Sequence, residues 1–267
     1  MDLNLKGKTV IVTGGGSNIG RGISLGFAKE GVNLVIADID EVQGKRVAEE
    51  AKSIGAADAV AIKTDVASWD SVQATVAETL KKFGSIQILV NNVGWTDDKL
   101  FIEKPREDWE KEIALNYWGV INCTRAVLDN MIANKYGRVV NIGSDAGRVG
   151  EFKEAVYGGA KGAVIALTKA LARENGRYGI TFNTICPGAT IPEDPAKEAG
   201  ESSMWKPSSE SWALFTPETL QKVASKYPLR RTGKPSDIAN AAVFFGSAAA
   251  EYITGQTLSV SGGYSMM

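Results

Sequence analysis

A cluster of glycines between the first two apolar runs constrains this chain most. Residues 8–13, Lys-Thr-Val-Ile-Val-Thr, read as a buried strand rich in β-branched side chains. Gly14, Gly15 and Gly16 break it, and an amphipathic helix is expected from about Asn18 to Glu30, closed by Gly31. A second apolar run, 32–37, ends at Asp38. Strand, helix and parallel strand within about 30 residues form a crossover unit. A glycine-rich turn in this place lets the backbone approach a ligand closely.

The same rhythm continues. Helices are expected at 41–54, 69–83, 106–134, 154–175 and 236–249, and strands at 58–64, 86–91, 137–143, 179–185 and 256–260. Continuous apolar strands alternating with helices predict an α/β fold with a doubly wound parallel sheet covered on both faces. The 267 residues, 44% hydrophobic, suffice for one core without disulfides or metal. No repeat or interdomain linker interrupts them, so residues 1–267 are expected to form a single domain.

One segment departs from the rhythm. Residues 188–228 contain Pro192, Pro195, Pro207 and Pro217 together with Met204, Trp205, Trp212 and Phe215. A long insertion at the carboxyl end of a strand reads as a substrate lid, because ligands of such sheets bind there. The competing reading is a surface excursion whose aromatic residues pack down or meet another subunit.

Composition removes several function classes. Thirty basic and 31 acidic residues leave a net charge of −1, with no basic run to suit nucleic acid. The chain has no histidine, which rules out Ser-His-Asp and Cys-His catalysis. Cys123 and Cys186 lack metal-ligand spacing, so no metal site is expected. The polar start and the lack of a long apolar stretch point to a cytoplasmic protein without a membrane partner.

Thr13-Gly14-Gly15-Gly16-Ser17-Asn18-Ile19-Gly20 is placed to bind a pyrophosphate. Gly14, Ser17, Asn18, Ile19 and Gly20 bring backbone N–H groups and a helix N-terminus to the ligand. Asp38, with Ile39 beside it, ends the second strand, where a carboxylate accepts both hydroxyls of the adenosine ribose and repels the extra phosphate of NADP. Asp40 and Glu41 follow rather than a basic residue, so NAD is the expected cofactor. Asp38 as the cap of the helix starting near 41 is a second reading, compatible with the first.

Tyr157 and Lys161 are one helical turn apart and share a face, and Ser144 follows strand 137–143. Alcohol oxidation must remove a hydroxyl proton as hydride leaves. A phenol titrates near ~10, and a neighbouring ammonium lowers that value. Lys161 supplies the charge, and Ser144 orients the substrate oxygen. In reduction Tyr157 donates the proton instead.

These residues resemble the short-chain dehydrogenase/reductase family. The matching motifs are the Thr13–Gly20 turn, Asn91-Asn92-Val93-Gly94, Asn116, Ser144, Tyr157-Gly158-Gly159-Ala160-Lys161 and Pro187-Gly188. The resemblance spans essentially the whole chain. It implies a Rossmann fold with a seven-stranded sheet and a homotetramer built partly from the helices near 106–134 and 154–175. Ser144, Tyr157 and Lys161 match the catalytic triad, and Asn116 matches the asparagine that holds a water in the proton relay. Asp65-Val66 match the pair beside the adenine, and Asn92 and Gly94 the motif under the adenosine ribose. Thr190, after Pro187 and Gly188, falls where the nicotinamide carboxamide is met. Asn18 stands where a glycine is common, and Val93 where an alanine is usual.

The segments 91–95, 144–150, 154–157, 244–247 and 253–263 are also similar to the branch of that family acting on 2-hydroxycyclohexanecarboxyl-CoA. Trp95, Met204, Trp205, Trp212 and Phe215 are candidates for an apolar substrate pocket, and Arg148 for an anionic substrate group. The expected substrate is a cyclic or aryl secondary alcohol or a β-hydroxyacyl-CoA. The rival enzyme readings are a ketone or 3-oxoacyl reductase and a sugar dehydrogenase. A rival of another class is a catalytically silent subunit on the same fold.

Overall fold

The buried β-branched runs pair edge to edge because, covered on both faces, they can satisfy their backbone groups only with one another. The computed structural model describes residues 2–213 and 215–267. Leu214, inside the expected lid, and Met1 lie outside the described residues.

The first half contains β1 (Thr9–Thr13), α1 (Asn18–Ala28), β2 (Asn33–Asp38), α2 (Glu41–Ile54), β3 (Asp58–Lys63), α3 (Trp69–Phe83) and β4 (Ile88–Asn91). Then come α4 (Arg106–Ile113), a π-helical turn at Ala114–Trp118, α5 (Gly119–Ala133), β5 (Gly137–Ile142), α6 (Ala146–Val149), α7 (Ala155–Asn175) and β6 (Ile180–Pro187). The last part holds α8 (Pro195–Glu198), α9 (Glu210–Ala213), α10 (Pro217–Ser225), α11 (Pro235–Gly246) and β7 (Thr257–Val260).

All seven strands are parallel and lie in the order β3-β2-β1-β4-β5-β6-β7. This is a doubly wound Rossmann-type sheet. Its order reverses between β1 and β4, where Val12 lies in register with Ile36 on one side and Val90 on the other. The loops diverge at that reversal and open a crevice at the carboxyl ends. One core layer joins Ile23, Phe27, Val47 and Val243, from α1, α2 and α11, to the sheet. The opposite layer uses Val72, Val127, Met131 and Ala172, from α3, α5 and α7.

Local chemistry explains the sharpest boundaries. The side chains of Asp40 and Ser68 accept from the backbone N–H groups of Gln43 and Ser71, capping α2 and α3. Gly55 and Gly84 end those helices with φ of 132° and 80°. Two expectations change. The 106–134 helix is split by the π turn, and the 188–228 loop contains α8, α9 and α10. Pro195 and Pro217 each open a short helix there, a position where proline's missing N–H costs nothing.

Candidate active site

The site is assembled at the carboxyl ends of β1, β4, β5 and β6. At the end of β1, the first turn of α1 is left without a side-chain cap and without acidic residues. Its N–H groups are therefore available to an anion. The turn is closed so tightly that a Cβ on Gly20 would lie 1.9 Å from the Gly14 carbonyl oxygen. Asn18 adopts φ of 43°, a left-handed angle that Asn tolerates, and its buried Oδ1 has no hydrogen-bond partner among the described residues. A cradle of glycines, uncapped amides and an orphaned polar atom fits a dinucleotide diphosphate.

The β2 side separates the two readings of Asp38. Asp40, not Asp38, caps α2, with its Oδ1 accepting from Gln43 N at 3.0 Å. Asp38 is buried at the strand end, where Oδ2 accepts from Gly16 N at 2.8 Å and Oδ1 from Asp40 N at 3.0 Å. Burial pushes its carboxyl above the usual range, against the pull of those N–H groups. Ile39 is half-exposed beside it.

The motif after β4 joins this turn to the opposite half of the site. Asn92 donates through Nδ2 to the carbonyls of Thr13 and Gly14, at 3.0 and 3.2 Å. A Cβ on Gly94 would meet Asn116 Oδ1 at 2.9 Å and Lys161 Nζ at 3.1 Å, so only glycine lets these side chains converge. Asn116 sits in the π turn, a distortion often found at functional sites. It grips Trp95 both ways: Trp95 N donates to Oδ1 at 3.2 Å, and Nδ2 donates to Trp95 O at 2.7 Å.

Ser144 follows β5, and its oxygen accepts from Ala146 N at 3.1 Å, which orients the hydroxyl. Tyr157 and Lys161 face the same cleft from α7. Lys161 is buried, donates to the Ile142 carbonyl at 2.9 Å, and stands 5.6 Å from the Tyr157 ring centre. Burial lowers its ammonium to about 8. Tyr157 is pushed above its ordinary value, by burial first and then by the negative charge of Glu154, against the pull of the nearby Ser144 hydroxyl. This corrects the expected downward shift: desolvation of the phenolate, with the charge of Glu154, sets its direction.

The remaining expected residues are distributed unevenly. Pro187 and Gly188 lead from β6 to Thr190, which is buried and tied back through its hydroxyl to Gly188 O at 3.1 Å. Val66 is buried, a Cβ on Gly119 would lie 2.7 Å from its Cγ2, and its carbonyl accepts from Asn122 Nδ2 at 3.0 Å. Asp65 is exposed. Trp205 and Trp212 each pack against Phe215, with ring centres 5.1 and 6.3 Å from its own. Met204 joins that segment through its carbonyl, which accepts from Ser209 Oγ at 2.6 Å. Trp95 instead lies under Lys111 Nζ, 3.7 Å from its ring centre. Arg148 donates to Ser259 Oγ at 2.7 Å, and that hydroxyl donates to the buried Asp145.

Spacing missed a charged group beside the site. Glu112 is fully buried and its Oε1 accepts from Lys104 Nζ at 2.5 Å, Thr96 Oγ1 at 2.9 Å and Asp97 N at 3.4 Å. Its backbone carbonyl accepts from Asn116 Nδ2 at 2.8 Å. Glu154, three residues before Tyr157, was also missed. Burial, with Asp98 and Glu151 nearby, raises its carboxyl to about 7.

A doubly wound sheet with an uncapped glycine turn at its reversal defines a class, the dinucleotide-dependent oxidoreductases. A family model described as Enoyl-(Acyl carrier protein) reductase matches residues 14–265. The 3-oxoacyl-[acyl-carrier-protein] reductase FabG of Staphylococcus aureus is 35% identical over 260 residues, 97% of this chain and 98% of its own. Oxidoreductase UcpA of Salmonella typhimurium is 37% identical over 261 residues, 97% of this chain and 95% of its own. An uncharacterized oxidoreductase of Thermotoga maritima is 34% identical over 261 residues, 98% of each chain. The chain belongs to the short-chain dehydrogenase/reductase family. It is an oxidoreductase that uses a nicotinamide dinucleotide on a small-molecule substrate. Among the described residues no helix is long and apolar enough to cross a membrane.

Proposed function

We propose that the protein interconverts a secondary alcohol and its ketone, with NAD as the cofactor, and that Tyr157 carries the proton. The convergence of Asn116 and Lys161 at Gly94, with the Tyr157 ring beside Lys161 and the Ser144 hydroxyl near that phenol, carries this reading. Gly14, Ser17, Asn18, Ile19 and Gly20 seat the diphosphate, Asp38 the adenosine ribose, and Ile39, Asp65 and Val66 the adenine. Asn92, Gly94, Pro187, Gly188 and Thr190 line the rest of the cofactor crevice. A dinucleotide bound there would supply the hydride acceptor for oxidation of the alcohol carbon and the hydride donor for the reverse.

The chain's own groups do the remaining work. Ser144 hydrogen-bonds the substrate oxygen, and Tyr157 takes the alcohol proton in oxidation or gives it back in reduction. Lys161 holds a positive charge next to the phenol, which favours phenolate once the cleft is filled. Asn116 anchors Trp95 and the far side of the relay.

The carboxylate of Asp38 and the absence of a basic residue at Ile39, Asp40 and Glu41 support NAD over NADP. The aromatic residues support a cyclic or aryl alcohol or a β-hydroxyacyl-CoA as substrate. The relative named as a 3-oxoacyl-[acyl-carrier-protein] reductase favours a second reading, reduction of a 3-oxoacyl thioester with NADH. A cytoplasmic homotetramer completes the proposal. Initial rates with NAD and NADP, on cyclic, aromatic and CoA-linked alcohols and on a 3-oxoacyl thioester, test it. Turnover only with NADP would overturn the cofactor assignment, and turnover of simple polyols alone the substrate class.

A further inference from the structure

The segment that follows β6 does not stay on the substrate side. It leaves the sheet at Pro187 and by Gly200 has reached the end of β2, four strands away in the sheet order. At about 4.8 Å per strand that is a traverse of about 19 Å across the mouth of the crevice.

Its course is fixed by hydrogen bonds to the cofactor turn and to α2. Asn18 Nδ2 donates to Thr190 O at 3.4 Å. Gln43 Nε2 donates to Gly16 O at 3.1 Å and to Lys197 O at 3.3 Å, joining the turn to the segment. Gly200 N donates to Ser17 Oγ at 3.0 Å, and Glu201 N donates to Asp40 Oδ2 at 2.9 Å. Gly200 is buried, and a Cβ there would lie 2.5 Å from Asp40 Oδ2 and 2.9 Å from Gln43 Cβ. The fit therefore depends on a residue with no side chain. Asp40 serves two masters, since its other oxygen caps α2, so its charge is held in place two residues beyond Asp38.

We propose that residues 190–201 form a strap across the diphosphate and adenosine ribose of the bound dinucleotide, latched at Gly200 and Glu201. The latch sets how slowly the cofactor leaves and how strongly a 2′-phosphate is refused. The proposal rests on the dinucleotide reading of the crevice. The strap bounds the first turn of α1 on this side, so exchange of a ligand seated there requires the bonds to Ser17, Asp40 and Gln43 to break. A phosphate added beside Asp38 meets a second fixed carboxylate, Asp40, and pushes against the backbone latched to it. Releasing the strap removes both obstacles to different degrees: cofactor exchange becomes faster, and discrimination against the phosphate weakens.

Two variants separate the latch from the cap of α2. Gly200→Val forces the strap off Asp40, and Glu201→Pro removes the N–H that Asp40 Oδ2 accepts while leaving the Asp40 cap of α2 in place. The measurement is stopped-flow loss of bound NADH fluorescence on mixing with excess ADP-ribose, together with equilibrium titrations of NADH and NADPH. We expect NADH to leave at least tenfold faster from both variants, and the NADPH-to-NADH ratio of Kd to fall severalfold. Wild-type release rates and unchanged discrimination in Glu201→Pro, whose cap is intact, overturn the strap. If the wild-type protein itself shows no saturable binding of NADH, the cofactor assignment fails instead. Limited proteolysis of the wild-type chain needs no variant: saturating NADH should slow cleavage within 193–202, and equal cleavage with and without NADH argues against the strap.

Discussion

Lys161 holds its ammonium nitrogen 5.6 Å from the centre of the Tyr157 ring while donating to the Ile142 carbonyl at 2.9 Å. That anchor fixes the charge relative to the phenol, whose hydroxyl is the group proposed to carry the substrate proton. Tyr157→Phe keeps the ring and removes the proton. Turnover should fall by about 10²–10⁴, while NADH affinity, read by fluorescence titration, stays near wild type. Turnover close to the wild-type rate would contradict the assignment.

The lowered Lys161 ammonium has a consequence for stability. Its value is about 8 in the native protein, against about 10.4 in an unfolded chain. Between those values the unfolded chain binds more protons, so stability rises with pH through that window, and the full penalty stands below it. Lys161→Met removes the penalty. Thermal or urea unfolding should show a gain of up to about 3 kcal/mol at pH 7, shrinking to nothing above pH ~10. A variant less stable than wild type at pH 7 would show that the Ile142 bond outweighs the buried charge.

Glu154 tests the same electrostatics from the anionic side. Its native value of about 7 lies above the ordinary ~4.3, so ionisation above neutrality puts a negative charge next to the phenol. Asp98, Glu151 and Glu112 add to it, and Lys104 opposes it. Glu154→Gln removes the charge that raises Tyr157, so the alkaline rise of kcat/KM for alcohol oxidation should begin at lower pH. The variant should also lose the fall in stability that the wild type shows as pH rises through 7. An unshifted pH–rate profile would separate Glu154 from the phenol.

The Lys104–Glu112 pair, 2.5 Å apart and shielded from solvent, clamps residues 96–104 onto α4. Lys104→Met strands the carboxylate and should cost about 3–5 kcal/mol in urea unfolding. The double variant Lys104→Met, Glu112→Leu should recover most of that loss, because no uncompensated charge remains. A double variant as unstable as the single one would point to packing rather than charge.

Gly94→Ala places a methyl 2.9 Å from Asn116 Oδ1 and 3.1 Å from Lys161 Nζ. One of these side chains must move. The expected result is a loss of kcat of tenfold or more with a change in Tm of only a few degrees. A large drop in Tm with intact kcat would mean that the backbone yields rather than the two side chains.

Much of this arrangement was legible in the sequence, for identifiable reasons. The helices at 41–54 and 69–83 carry their own punctuation in Asp40, Gly55, Ser68 and Gly84. The parallel sheet covered on both faces follows from the alternation of strands and helices, and the place of the phosphate turn from its glycines. What stayed hidden depends on contacts between distant residues. The bond from Gln43 to Lys197 joins positions 154 apart, and no local pattern announces it. Glu112 looks like one more surface charge on a polar helix until its three partners are seen. The bond from Arg148 to Ser259 on the last strand spans 111 positions and was hidden in the same way. Pro195 and Pro217 suggested loop where each begins a helix, since proline marks both.

The π turn at Ala114–Trp118 carries one residue more than a regular α-turn would need. Excising a single residue there would rewind the helix to normal pitch and swing everything beyond it by about 100°. Gly119 would leave its seat against Val66, and the face of α5 now buried against the sheet would rotate toward water. The asparagine that grips Trp95 is thus inseparable from the phasing of the whole helix behind it, and a length change of one position would be felt farther than most substitutions.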